Sequence, residues 1–163
     1  MTLTARTLFR YGTWAIPLLI IGQFVLAGMG IFSLLGPNPD AKGAGFLMYH
    51  AAIGPLVIFV LTLLMIGLGF AGRLPWRMTG VAAAFVPLLI LQSLFLVPYH
   101  LAQDDAGMAS LRFISGLHVV NALFIFWLAL EMPFWARRDL AALAAAPRAE
   151  SQAGAVGAGA TPI

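Results

Sequence analysis

Residues 45–70 read "GFLMYHAAIGPLVIFVLTLLMIGLGF", and this run decides the fold. It holds no charged residue, and at about 1.5 Å rise per residue it is long enough to cross a hydrocarbon layer about 30 Å thick as a helix. A second, largely apolar run, "LRFISGLHVVNALFIFWLALEMPFW", occupies residues 111–135, with Arg112 and Glu131 toward its two ends. Each places one histidine, His50 or His118, near its start. An imidazole at that depth is costly unless it faces the protein interior and finds a partner.

One further apolar run precedes each of these stretches, giving spans at about 14–35, 46–70, 78–98 and 111–135. The breaks between them, "GPNPDAKGAG", "AGRLPWR" and "YHLAQDDAGMAS", are short and rich in turn formers. Short connections force neighbouring helices to run antiparallel. The expected fold is therefore all-α: an integral membrane up-down four-helix bundle over residues 1–138. Residues 139–163 lack a periodic apolar face and read as a disordered cytoplasmic tail.

Composition agrees with this reading and closes off others. The chain is 61% hydrophobic and 9% charged, with a mean hydropathy of +0.95, so most of its surface must face the lipid bilayer. It has no cysteine, which excludes disulfides, thiolate-held metal clusters and covalently attached c-type haem. A sequence pI near 10.0 does not imply nucleic acid, because the basic residues are dispersed. Their placement reports orientation instead. Arg6 and Arg10 precede the first span, Arg73 and Arg77 lie in the second break, and Arg137 and Arg138 follow the fourth span. The other two breaks carry Asp40 with Lys42, and Asp104 with Asp105, Arg112 standing at the edge. The positive-inside rule then places both termini in the cytoplasm. Val25 and Ala27 imitate a signal-peptide cleavage site, but the apolar run continues to Leu35, so the first span is read as a retained helix.

The second half echoes the first. Gln23 precedes His50 by 27 residues, and Gln92 precedes His118 by 26. Both hairpins start on the cytoplasmic side, so they form parallel pseudo-repeats about an axis along the membrane normal. Such an axis makes the second and fourth helices diagonal partners, and it sets their histidines at similar depth, roughly 6 to 10 Å below the outer surface. Gly54, one turn below His50, leaves room for a flat group; Asn121 and Ala122 lie beneath His118, and Ser115 above it.

Two facing imidazoles across an apolar slot suit one haem b, with His50 and His118 as axial ligands of the iron. Arg112 and His100 are candidates to meet the propionates, and Phe46, Tyr49, Phe95 and Phe113 could supply aromatic walls. Copper is a minor alternative, since Met29, Met48 and Met108 accompany the histidines in the outer half. Gln23, Gln92 and Asn121 form a polar ladder suited to interhelical hydrogen bonds, or to a quinone. Glu131 lies near the cytoplasmic end, within reach of Arg10 or Arg77. No phosphate loop, metalloprotease helix or nucleophile elbow occurs. The expected role is that of a redox carrier, passing electrons to or from a quinone or a membrane redox protein, rather than a stand-alone enzyme. The competing readings are a cofactor-free accessory or scaffolding subunit of a larger membrane complex, and a small transporter, which the lack of a charged residue in mid-bundle disfavours. No feature of the chain fixes an oligomeric state.

The stretches "YHAAIGPLVIF" and "LHVVNALFIF", their histidines 68 residues apart with a basic "GRLPWR" turn between, resemble a family of small four-helix bacterial membrane proteins of unknown function. The arrangement is also similar to one half of a haem A synthase and to b-type membrane cytochromes. These resemblances imply a multi-pass protein of the bacterial cytoplasmic membrane, with His50 and His118 as axial haem ligands. The chain departs from haem A synthase in having one histidine pair, no acidic residue in "GFLMY" before His50, and no cysteine. Haem oxidation is thereby disfavoured, and haem binding, electron transfer or haem sensing is left.

Because the chain lacks cysteine, its orientation is directly measurable. Single cysteines at Thr4 and Ala144 are expected to react with a membrane-impermeant maleimide only after the cells are opened, whereas one at Ala106 should react in intact cells.

Overall fold

The computed structural model describes residues 2–35, 41–97 and 114–158; regular structure among them is helical, with no strand. Its elements are α1 (Thr2–Leu35), α2 (Ala41–Met48), a π-helical turn (Tyr49–Ile53), α3 (Gly54–Ala71), α4 (Trp76–Leu94) and α5 (Gly116–Ala158). Helix α2, the π turn and α3 run as one span. With α1, α4 and α5, this span completes four helical segments long and apolar enough to cross a membrane.

Several boundaries differ from the apolar runs, for identifiable reasons. Helix α1 begins at Thr2 rather than near residue 14. Arg6 and Arg10 end the apolar run without ending the helix, because charge limits depth in lipid and not backbone geometry. Ala5, Phe9, Thr13 and Ile16 are buried at helical spacing and carry the core face through this first stretch. Helix α4 stops at Leu94, short of residue 98, where Leu96 N–H turns back to Ser93 O at 3.1 Å. Residues 139–158, which composition assigns to a disordered tail, continue α5 as far as Ala158. Their alanine content favours helix even without an apolar stripe. The expected start of the fourth span, residues 111–113, lies outside the described residues.

The π turn has a local cause. Pro55 occupies the first turn of α3 and has no N–H to donate backward. Gly54 N–H instead reaches Tyr49 O, five residues back, which inserts one residue into the helix. Prolines also lie inside α1 (Pro17) and α4 (Pro87). Membrane helices tolerate such breaks when neighbouring groups satisfy the freed carbonyls.

The segments pack in cyclic order. Helix α1 contacts α3 and α5, and α4 contacts the same two, so α3 and α5 stand on one diagonal and α1 and α4 on the other. The core concentrates in one half of the bundle, around Phe9, Ile16, Met65, Ala82, Phe85, Ala129 and Met132. The other faces expose large apolar side chains such as Leu18, Leu64, Val119 and Phe134, as a surface in contact with lipid does. At the core-rich end, Arg6 Nε donates to Gly72 O at 2.8 Å, and Arg77 pairs with Asp139 at 2.5 Å. Arg77 thus bridges to Asp139 and not to Glu131. Arg73, with φ of 49°, takes the left-handed position that closes α3, where Leu74 N–H bonds back to Gly69 O at 2.9 Å.

Helices α3 and α4 come close at Gly69, where an added Cβ would stand 2.5 Å from Thr79 Oγ1; at Gly67, on the same helix, it would meet nothing within 4 Å. Gly69→Leu is therefore expected to destabilise the protein by about 1–3 kcal/mol through overpacking. Gly67→Leu should leave the detergent unfolding midpoint at or above that of the parent, and a comparison of the two midpoints checks both statements.

Candidate functional site

Away from the main core, the four segments enclose a cavity of about 290 Å³. Ile20 and Phe24 of α1, Pro55 and Ile58 of α3, Leu89 and Leu96 at the end of α4, and Ala122 and Ile125 of α5 make most of its wall. His50, His118, Gln23, Gln92 and Ser93 supply the polar atoms. Phe24 is the aromatic side chain in the lining, and its ring packs edge-on against Phe126 at 5.5 Å. Phe46, Tyr49 and Phe95 do not line it, and Phe113 lies outside the described residues.

The two histidines do meet. Their ring centroids are 6.4 Å apart, with the planes at 79°. His50 comes from the π turn and His118 from α5, so the rings face across the diagonal of the bundle. Each is anchored in the same way. His50 Nδ1 lies 3.0 Å from Gln23 O, and His118 Nδ1 lies 2.9 Å from Gln92 O. A carbonyl only accepts, so Nδ1 must carry the hydrogen in both rings, and Nε2 keeps its lone pair. This second-sphere bond to a main-chain carbonyl is the one that metal-ligating histidines ordinarily make.

The carbonyls are available for different reasons. Helix α4 ends two residues after Gln92, so Gln92 O is among the last carbonyls that lose their helical partner. Gln23 O lies well inside α1 and accepts His50 through a second lone pair.

The glutamine side chains diverge. Gln23 packs directly over Gly54, where a Cβ would collide with its amide, and its Oε1 is buried with no partner among the described residues. The room beside Gly54 therefore holds the Gln23 side chain. Gln92 Nε2 donates to His118 Nε2 at 3.1 Å, and Gln92 Oε1 accepts from Asn121 Nδ2 at 2.6 Å. Asn121 also donates to Leu88 O at 3.0 Å and is buried behind the cavity wall. Met29 and Met48 are exposed and do not line the cavity. His100, Arg112 and Met108 lie outside the described residues.

An imidazole nitrogen binds a transition metal at about 2.0–2.1 Å, and the ring centroid lies about 1.1 Å behind it, so two imidazoles on opposite sides of one ion have centroids about 6.3 Å apart. The spacing found, 6.4 Å, is close to that value and also falls within the range of an edge-on ring contact. No group of three or more His, Cys, Asp or Glu side chains occurs among the described residues. A bare ion would thus find two protein ligands, short of the four of a closed site. A haem would supply further nitrogen donors of its own, and His50 and His118 are the residues that would hold its iron.

Fold and site define a four-helix protein of membrane-spanning character with a facing histidine pair inside the bundle. Residues 23–97 match a family of unknown function, DUF6220. The match begins at Gln23 and includes His50, Gly54 and Gln92, and it stops before His118 and Asn121. No curated protein and no solved structure matches the chain.

The packing of Gln23 on Gly54 is open to a double-mutant test. Gly54→Ala is expected to destabilise the protein by about 1–3 kcal/mol. Gln23→Ala in the same background should recover most of that loss, giving a coupling energy well above the additive limit of about 0.5 kcal/mol.

Proposed function

We propose that this chain binds one haem b between His50 and His118 and carries electrons within the bacterial cytoplasmic membrane, both termini facing the cytoplasm. The observation that carries this reading is the paired geometry. Two imidazoles on diagonal segments stand with their ring centroids 6.4 Å apart, each with Nδ1–H spent on a main-chain carbonyl, so that Nε2 is the nitrogen each would offer a metal, His118 by giving up its bond from Gln92. The apolar cavity around them supports it, because such walls hold a porphyrin ring and exclude water. At about 290 Å³ the cavity sits at the small end of ligand sites, so binding would require the side chains around it to move apart.

With both imidazoles on the iron, no coordination position remains open, which suits electron transfer better than oxygen chemistry. The partner would be a quinone or a membrane redox protein.

A second reading rests on the linked hydrogen bonds among His118, Gln92 and Asn121, which pair both ring nitrogens of His118 and both amide atoms of Gln92 without any ligand. On that reading the network joins α4 to α5, and the chain is a cofactor-free accessory subunit.

A visible spectrum separates the two. Protein purified in detergent from haem-replete cells is expected to show a Soret band, with sharp α and β bands on reduction. The His50→Ala, His118→Ala double variant should lose them while keeping its helical circular dichroism. Colourless parent protein would assign the chain to the second reading.

A further inference from the structure

The two histidines of the cavity are not equivalent. His50 Nε2 has no partner among the described residues, and the nearby Gln23 amide is turned over Gly54. His118 Nε2, by contrast, already accepts a hydrogen bond from Gln92 Nε2 at 3.1 Å. That amide is itself held, because Asn121 Nδ2 donates to Gln92 Oε1 at 2.6 Å and to Leu88 O at 3.0 Å. Asn121 is 7% exposed, so water does not replace these bonds readily. The donor directions agree around the loop. Asn121 fixes Gln92 Oε1 as an acceptor, which turns the amide nitrogen toward His118; His118 in turn keeps its own hydrogen on Nδ1, facing Gln92 O.

An imidazole nitrogen offers one in-plane lone pair, which serves either an amide N–H or a metal. We infer that Gln92, braced by Asn121, competes with haem iron for His118, making His50 the standing ligand and His118 a displaceable one. The inference rests on the haem reading above and adds to it a means of opening the iron. Coordination by His118 forms the iron–Nε2 bond and breaks the Gln92 N–H···Nε2 bond. No proton is transferred, since Nδ1 keeps its hydrogen on Gln92 O in both states. While Gln92 holds His118, the position opposite His50 is free for a small exogenous ligand.

The test compares the parent protein with Gln92→Leu and Asn121→Ala, each purified in detergent and loaded with haemin. Thr62→Val serves as a control for general loosening of the buried core. Leucine at 92 keeps the main-chain carbonyl that anchors His118 and removes only the competing amide. The readouts are the high-spin to low-spin ratio of the ferric protein and the rate of carbon monoxide binding after reduction. Loss of one hydrogen bond is expected to lower both by about three- to tenfold in Gln92→Leu. Asn121→Ala should move them in the same direction by less, and Thr62→Val should leave them unchanged. A Soret band with parental spin ratio and carbon monoxide rate in Gln92→Leu overturns the inference and leaves haem binding standing. If Gln92→Leu does not fold, the same outcome in Asn121→Ala decides it. The absence of a Soret band from the parent protein overturns the haem reading and this inference together.

Discussion

In a layer without water, an unpaired imidazole N–H costs about as much as the hydrogen bond it forgoes. His50 and His118 meet that demand through main-chain carbonyls of the helix beside them, Gln23 O and Gln92 O. The choice of acceptor has consequences beyond satisfaction. A carbonyl cannot exchange roles as a hydroxyl or a second imidazole could, so it sets which ring nitrogen is left over and fixes the ring against a rigid element. The same contact ties the second span to the first and the fourth to the third. The site and the pairing of the helices are thus one arrangement, and the cavity follows where these two anchored rings keep the segments from closing.

Much of this was legible from the chain alone. Four apolar runs separated by short breaks specify the bundle, because backbone in lipid has few other solutions. The near-equal spacing from Gln23 to His50 and from Gln92 to His118 indicated that the histidines are related. What the spacing could not show is that the glutamine main chain, and not its side chain, is the partner. Every residue owns a carbonyl, so no residue type signals its use. The helix end at Leu94 that frees Gln92 O is equally silent in a run that stays apolar beyond it. The early start of α1 was hidden for a related reason, since Arg6 and Arg10 interrupt hydropathy while the helical face through Ala5, Phe9 and Thr13 continues. Gly54 was legible as a place of close approach but not as the seat of Gln23.

The halves match at their anchors and diverge around them. One turn after His50 the chain has Ile53 and Gly54; one turn after His118 it has Asn121 and Ala122. Glycine lets Gln23 lie flat against its neighbour with Oε1 unpaired, whereas asparagine draws Gln92 upright against the ring of His118. Two side-chain differences at equivalent places, Gly54 against Ala122 and Ile53 against Asn121, therefore accompany a His50 Nε2 without a partner among the described residues and a covered His118 Nε2. An unpaired buried amide oxygen costs about 1–3 kcal/mol. The two halves thus arrange their polar groups differently while keeping a common backbone plan.

Neighbouring segments of the bundle are held by packed side chains, but α3 and α5 are kept apart only through α1 and α4, which both touch. Four rods joined along their sides in this way behave like a hinged quadrilateral. Its edges are set by the side chains packed along them, so a change in one diagonal must be matched by an opposite change in the other. Widening the gap between the two imidazoles would bring α1 and α4 nearer and tilt all four rods slightly, so the girth of the bundle at this level is set by whatever lies in the middle.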